Sequence, residues 1–318
     1  MDVIINQQII KTLTETWINY YISNKDILFK KDPKHTSIDE ILDTIRTSGG
    51  FQITAFAGKI QNQNTHPQRL PDLGELNLLC KIKAIQDLTG GTVQIILDGE
   101  YYSDIFGEDN KIIKKYEKQL MKFANLVGLN KGLANKPLIS LKDYLQQSNI
   151  SYSIITNLIE IYQKSPEIAF ESTGMLPEHF FESIKKFFSD TIIQKYKTQE
   201  EYHQAIYNMS KEFIIRKAAL TGALKLSKVN SQNSYKRITI LKYKNFKYPR
   251  LNIQMKMAPW NSTIIFKKSY LNINTAQTES FTNSKQDIRN YQIIDNKGYF
   301  WGFSRKPNLF EKLLQTRQ

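Results

Sequence analysis

The stretch V-Q-I-I-L-D-G-E-Y-Y-S-D-I-F-G, Val93 to Gly107, decides how the fold is read, because an apolar run breaks off at Asp98-Gly99 and a second carboxylate, Asp104, follows six residues later. Strands buried on both faces of a parallel sheet read as continuous Val/Ile runs, and the ligand crevice of an open α/β sheet lies beyond the carboxyl ends of its strands. Acids just past such a run are therefore candidates for chemistry. The plain alternative is a strand, a glycine-assisted turn and a helix cap, which accounts for most Asp-Gly pairs.

The elements around this strand extend the pattern. Ile9, Leu13, Trp17 and Tyr20 or Tyr21 recur at helical spacing before the polar break Ser23-Asn24-Lys25-Asp26. Ser37-x-x-Glu40 has capping-box spacing, and Ile41, Leu42 and Ile45 form an apolar stripe that stops at Gly49-Gly50. Phe51 to Ala57 reads as a strand, and after a polar loop Pro71 suits the first turn of a helix carrying Leu73, Leu76, Leu79 and Ile82. Gly90-Gly91 leads into the Val93 strand. Asp109 caps a helix presenting Ile112, Ile113, Tyr116, Leu120, Phe123 and Val127 up to Gly128.

This β-α-β-α order predicts an α/β fold with a Rossmann-like, mostly parallel sheet flanked by helices. A short Pro137–Leu141 strand and a helical layer through Leu226 follow, interrupted near Gly174 and Pro177. Candidate strands at Tyr235–Tyr243, Arg250–Met257, Ser262–Lys267 and Tyr291–Ile294 predict a largely antiparallel C-terminal β section. The expected divisions are residues 1–136, 137–230 and 231–318, with the last section able to join the core as one continuous domain.

The 318 residues, 41% hydrophobic and 12% aromatic, suffice for a substantial core. The formal charge of +14 is uneven: residues 1–110 carry an acidic excess and the remainder a basic one, densest from Lys211 to Lys256, where Glu212 is the single acid. Tyr235, Tyr243, Phe246 and Tyr248 interleave that segment. It favours anions, and phosphorylated small molecules, nucleic acid and anionic membranes all meet that preference. The lone Cys80 excludes an intramolecular disulfide and argues against a cysteine-based metal cluster. Asp2 and Gln7-Gln8 make a poor secretory signal, and no run approaches the roughly 18 apolar residues of a membrane span, so a cytoplasmic protein without membrane partners is expected.

Lys59 follows its strand in A-F-A-G-K, where Gly58 permits close backbone approach and the ammonium can reach an anion, although a lone Lys is more often a solvated charge. Asp72 and Glu75 stand three apart on one predicted helix face, as a pair of acid/base groups or as first-turn acids meeting the helix dipole. His35, His66, His179 and His203 show no metal-ligand spacing, and neither a nucleotide-binding glycine loop nor a G-x-S-x-G elbow is present. Chemistry here has to rest on carboxylates, Lys/Arg and Tyr, with no metal and no cofactor expected.

Three segments together resemble the pyoverdine/dityrosine biosynthesis family, whose bacterial members include isonitrile synthases. A-F-A-G-K-I-Q-N-Q-N-T-H-P-Q-R-L-P-D-L-G-E, residues 55–75, is similar to the family's F-P-x-K-S-x-N running into L-P-D-x-x-E. D-G-E-Y-Y-S-D-I-F-G followed by Tyr116 is similar to D-G-R-x-x-x-D-x-x-G and its helix. Arg237-Ile-Thr-Ile-Leu241, Leu251-Asn-Ile253 and Ala258-Pro-Trp-Asn261 more faintly resemble R-L-S-x-H, x-G-I and T-P-W-H.

The resemblance implies conversion of the amine of an aromatic amino acid, tyrosine or tryptophan, to an isonitrile with ribulose 5-phosphate as carbon donor, and an oxygenase of the same pathway as a partner. It implies Asp98, Asp104, Asp72 and Glu75 as acid/base groups, and Lys59, Arg237, Tyr116, Trp260 and Asn261 as substrate or phosphate contacts. Glu100 stands where the family has Arg, and Leu241 and Asn261 where it has His. These departures leave two alternatives open, a diverged member with another amine or an N-formyl product, and a non-enzymatic binder of nucleic acid or other anions through Lys211–Lys256.

Overall fold

The computed structural model describes residues 7–30, 37–54, 73–105, 107, 109–129, 137–178, 196–230, 236–239, 249, 251, 265–266, 269–272, 277–280, 291–296 and 300–305. Helix α1 spans Gln7–Ser23 and α2 Ile38–Thr47. Ser37 caps α2 through a full capping box: its hydroxyl accepts from the Glu40 amide while the Glu40 carboxylate accepts from the Ser37 amide. β1 (Gly50–Thr54), α3 (Leu73–Thr89) and β2 (Thr92–Leu97) follow. After a single turn, α4 (Gly99–Tyr102), comes α5 (Asn110–Val127), capped by Asp109 and ended by Gly128 at φ 81°. β3 (Leu138–Ser140), α6 (Leu141–Gln147), α7 (Tyr152–Lys164), α8 (Pro166–Thr173) and the long α9 (Gln199–Asn230) lead to β4 (Lys236–Thr239).

These four strands form one parallel sheet in the order β3-β2-β1-β4. The molecule is a mixed α/β, mostly helical protein built on this small sheet. Each face has its own core. Phe51, Ile53, Val93, Ile95, Leu97 and Ile238 belong to one cluster with residues of α1, α2, α3 and α5. Ile96 and Ile139 belong to a second with residues of α4, α6, α7 and α9. That division follows from the two-residue period of a strand, and burial of each large aliphatic side chain contributes about 1.5–3 kcal/mol.

Two glutamines interrupt the apolar runs at matching register. Gln52 pairs with Gln94 across β1 and β2, its amide donating to the Gln94 carbonyl at 2.6 Å and lying 3.2 Å from the Tyr144 hydroxyl on α6. Both side chains are buried. A buried amide is tolerated when it is hydrogen-bonded, and these are.

The expectation that Tyr235–Tyr243 opens an antiparallel section is corrected for its described part. β4 lies parallel to β1, with Phe51 opposite Lys236 and Thr54 opposite Thr239. Strand composition and period do not encode direction. The helices between β3 and β4 supply the long crossover a parallel partner needs. Beyond β4, Leu251 forms an antiparallel bridge with Phe29. β5 (Ile265–Phe266), β6 (Ser269–Asn272) and β7 (Gln277–Ser280) pair antiparallel, as do β8 (Tyr291–Asn296) and β9 (Phe300–Arg305). Among the described residues no helix is long and apolar enough to cross a membrane.

At the start of the β1–β2 pairing, a Cβ added to Gly91 would stand 3.0 Å from the Gly50 Cα, 3.3 Å from its amide nitrogen and 3.3 Å from the Thr89 Oγ1. The Gly50 backbone would have to give by a few tenths of an ångström to admit it. Gly91→Ala is therefore expected to lower stability by about 1–3 kcal/mol in chemical denaturation, and an unchanged midpoint would show that the strands have slack there.

Candidate functional site

Asp98 is the first residue past β2, and register puts it at the same sheet edge as the end of β1, since Thr54 pairs with Ile96. It occupies the N-cap position of α4, yet its side chain makes no capping hydrogen bond. The strand, the turn and the N-cap position are thus as the plain reading has them, and the side-chain cap is not made. The carboxylate is 1% exposed, and neither oxygen accepts a hydrogen bond from another described residue. Among the described residues its counter-charge is Lys217 on α9, with Nζ 3.9 Å from Oδ2 and the lysine side chain itself 4% exposed.

Such a pair stands at an ion-pair distance that is too long for a hydrogen bond. Burial pushes the Asp98 carboxyl up to about 6, opposed by the positive charge of Lys217 and by its own backbone amide. A group of this kind holds or gives up a proton close to neutral pH.

Acidic neighbours extend from this point. Glu117 on α5 is pushed up to about 7, first by burial and then by the negative charges of Glu100 and Asp98, with Asp143 adding to them and Lys114 opposing. Glu100 on α4 lies 3.3 Å from the Lys114 ammonium. Among the described residues no group of three or more His, Cys, Asp or Glu is arranged to hold a metal ion.

Asp104 has a different setting. It is exposed, and both its oxygens accept from Arg216 of α9 at 2.7 and 2.6 Å, which holds its carboxyl below the usual carboxylate range. The same guanidinium bonds Glu212 at 2.7 Å and the Tyr101 carbonyl at 2.9 Å, and the Tyr101 hydroxyl donates back to the Arg216 carbonyl at 3.0 Å. Arg216 thus ties the α4 turn to α9 next to Lys217, and Asp104 is half of that latch.

The other sequence-expected residues are placed as follows. Glu75 lies half-buried in the first turn of α3. Tyr116 is 2% exposed and belongs to the first core cluster. Arg237 sits inside β4 in register with Gln52, two residues before the strand ends. Lys59, Asp72, Leu241, Trp260 and Asn261 lie outside the described residues. Sequence reasoning missed Lys217, Arg216 and Glu117. The available signal was the pair Arg216-Lys217 inside I-I-R-K-A-A, two charges in a helical stretch otherwise apolar enough to be buried all round.

The class so defined is a mixed α/β protein with an enclosed carboxylate–ammonium pair at the carboxyl edge of its parallel sheet. No family model matches the chain, and no curated protein matches its sequence. Among solved structures, the crystal structure of the PvcA protein from Pseudomonas aeruginosa is similar, with a TM-score of 0.58 at 11% identity over 90% of this chain and 98% of that one. The chain has a PvcA-like fold.

Removing Lys217 leaves Asp98 buried without its counter-charge. Lys217→Met is expected to cost about 3–5 kcal/mol at pH 8. The folded-state carboxyl is raised above its ordinary value, so its ionisation penalty grows as pH rises through about 6 and disappears once it is protonated. Denaturation midpoints at pH 8 and pH 5 should show the larger loss at pH 8, and an equal loss at both would mean that Asp98 is not the affected group.

Proposed function

We propose that this chain is an isonitrile synthase-like enzyme that converts the amino group of an aromatic amino acid, tyrosine or tryptophan, to an isonitrile with ribulose 5-phosphate as carbon donor. The observation that carries the proposal is the non-capping, buried Asp98 facing Lys217 at the end of a parallel strand. Its supports are the resemblance of residues 55–75 and 98–107 to isonitrile synthases and the PvcA-like fold.

In the same proposal the fold is a Rossmann-like sheet closed by a largely antiparallel C-terminal section. The strand order reverses between β1 and β4, and ligands of open α/β sheets bind at such switch points. The chemistry needs an amine to attack the donor's ketone, protons to move, and phosphate to be held and expelled. Asp98 takes the proton that frees the amine, and its raised pKa suits that transfer. Lys59 and Arg237 hold phosphate, Asp72 and Glu75 carry further protons, and Tyr116, Trp260 and Asn261 complete the substrate contacts. Asp104 acts through its grip on Arg216. The enzyme works in the cytoplasm without a metal or cofactor, beside an oxygenase that takes its product.

One observation favours a second outcome within the same fold. Glu100, which stands where the resemblance has an arginine, pairs with Lys114 and helps push up Glu117, so the surroundings of Asp98 carry more negative charge than the resembling motif implies. A different amine, or an N-formyl product, would suit that change. A nucleic-acid binder is disfavoured, because within the basic stretch Lys217 turns inward to Asp98 and Arg216 is taken up by Asp104 and Glu212.

Purified protein given L-tyrosine or L-tryptophan with ribulose 5-phosphate is expected to yield an isonitrile, trapped with a tetrazine and identified by mass. Asp98→Asn should lower turnover about a hundred- to ten-thousand-fold. Donor consumption with a different product mass supports the diverged member, and no consumption with either amino acid rejects both.

A further inference from the structure

We propose that Arg216 is the positioning residue of the Asp98–Lys217 pair: by clasping the α4 turn at Tyr101 and Asp104 it holds the Lys217 ammonium against the enclosed carboxylate. The proposal rests on the enzymatic function above, in which Asp98 takes the proton of the amine, and it assigns to that step a residue bonded to neither member of the pair.

A continuous frame of bonds runs from one charge to the other. The Asp98 carbonyl accepts from the Tyr101 amide at 3.1 Å, which closes the single turn of α4. Tyr101 then meets Arg216 twice, across 115 residues of sequence: its carbonyl accepts from Nη1 at 2.9 Å, and its hydroxyl donates to the Arg216 carbonyl at 3.0 Å. The next residue of α9 is Lys217, whose Nζ stands 3.9 Å from Asp98 Oδ2. Successive helical residues point about 100° apart, so Arg216 can hold the far end of the turn while Lys217 faces its start.

The guanidinium is itself held on two sides. Nε bonds Glu212, one turn earlier on α9, at 2.7 Å, and Nη1 and Nη2 bond the two oxygens of Asp104 at 2.7 and 2.6 Å. An isolated exposed ion pair does little, but a bidentate guanidinium tied into a network fixes geometry. A lysine in its place keeps the charge and loses the fork.

Position decides what Lys217 does to Asp98. Burial raises the carboxyl and the ammonium opposes it, so a clasp that slackens and lets the two drift apart leaves burial less opposed. The other charges nearby are Glu100 on the same turn, Glu117 and Lys114 on α5 and Asp143 on α6, and loss of Asp104 or of the fork leaves all of them in place. At Asp104 the through-space effect has the opposite sign. Taking away a negative charge lowers a neighbouring acid, whereas slackening the clasp raises Asp98, and the direction of the change separates the two.

The experiment follows the carboxyl titrations by NMR in full-length protein with isotope-labelled aspartate, Asp98 being assigned from Asp98→Asn. The wild type is compared with Asp104→Asn and Arg216→Lys, each checked for native circular dichroism. The wild-type Asp98 midpoint of about 6 is expected to rise by about half to one pH unit in both variants. A midpoint that stays or falls in either folded variant overturns the positioning role. Should Arg216→Lys not fold, Asp104→Asn, which changes an exposed side chain, decides alone. Turnover with the amino acid and ribulose 5-phosphate is measured against pH alongside, and its acid limb should move in step with the Asp98 midpoint. A limb that stays while the midpoint moves takes the proton step away from Asp98 and overturns the assignment. A raised midpoint in a protein that consumes no donor leaves the clasp standing and rejects the enzymatic function, and donor consumption with an unmoved midpoint does the reverse.

Discussion

A carboxylate enclosed at the end of a parallel strand constrains everything packed around it. Asp98 sits where β2 gives way to α4, and desolvating its charge is tolerable only with a cation close by. Lys217 supplies that cation from a helix more than a hundred residues away in sequence, so the position of α9 against the sheet is an electrostatic requirement as much as an apolar one. The second core, from Ile96 and Ile139 to Ile214, Ala219 and Leu220, brings the helix to the sheet. Arg216 then fixes its height against Tyr101.

Two aspartates six residues apart have come to opposite conditions. Asp104, exposed and bidentate to Arg216, is held as a carboxylate below the ordinary range. Asp98, enclosed and short of donors, is shifted upward. The first is a fastening, and the second is a group whose charge state responds near neutrality. Burial raises Asp98 against the opposing charge of Lys217, while the hydrogen bonds of Arg216 hold the exposed Asp104 down.

Much of the first 130 residues was legible in the sequence because its signals are local. Ser37 and Glu40 carry a capping box in four letters, Asp109 and Gly128 bracket α5, and the Val93 run ends where β2 ends. The parallel core followed from the alternation of strands and helices. The partnership of Asp98 was illegible, since it is formed across the fold and Lys217 stands in a run that reads as plain helix. Direction was illegible for β4, whose four described residues fit either kind of sheet. The lysine, tryptophan and asparagine of the resembling motifs, Lys59, Trp260 and Asn261, lie outside the described residues, so Asp98 is the motif residue on which the proposed site chiefly stands.

The paired amides of Gln52 and Gln94 have a further effect. Hydrocarbon strands slide past one another with little preference for a single alignment, whereas a polar group surrounded by grease has few places to go. A slip of one position between β1 and β2 would turn one glutamine toward the aliphatic layer beneath α3 and strand the other opposite Tyr144 without its mate. Two residues that add little cohesion thus act as an indexing pin for the sheet, and through it they determine at what height the two strand ends emerge.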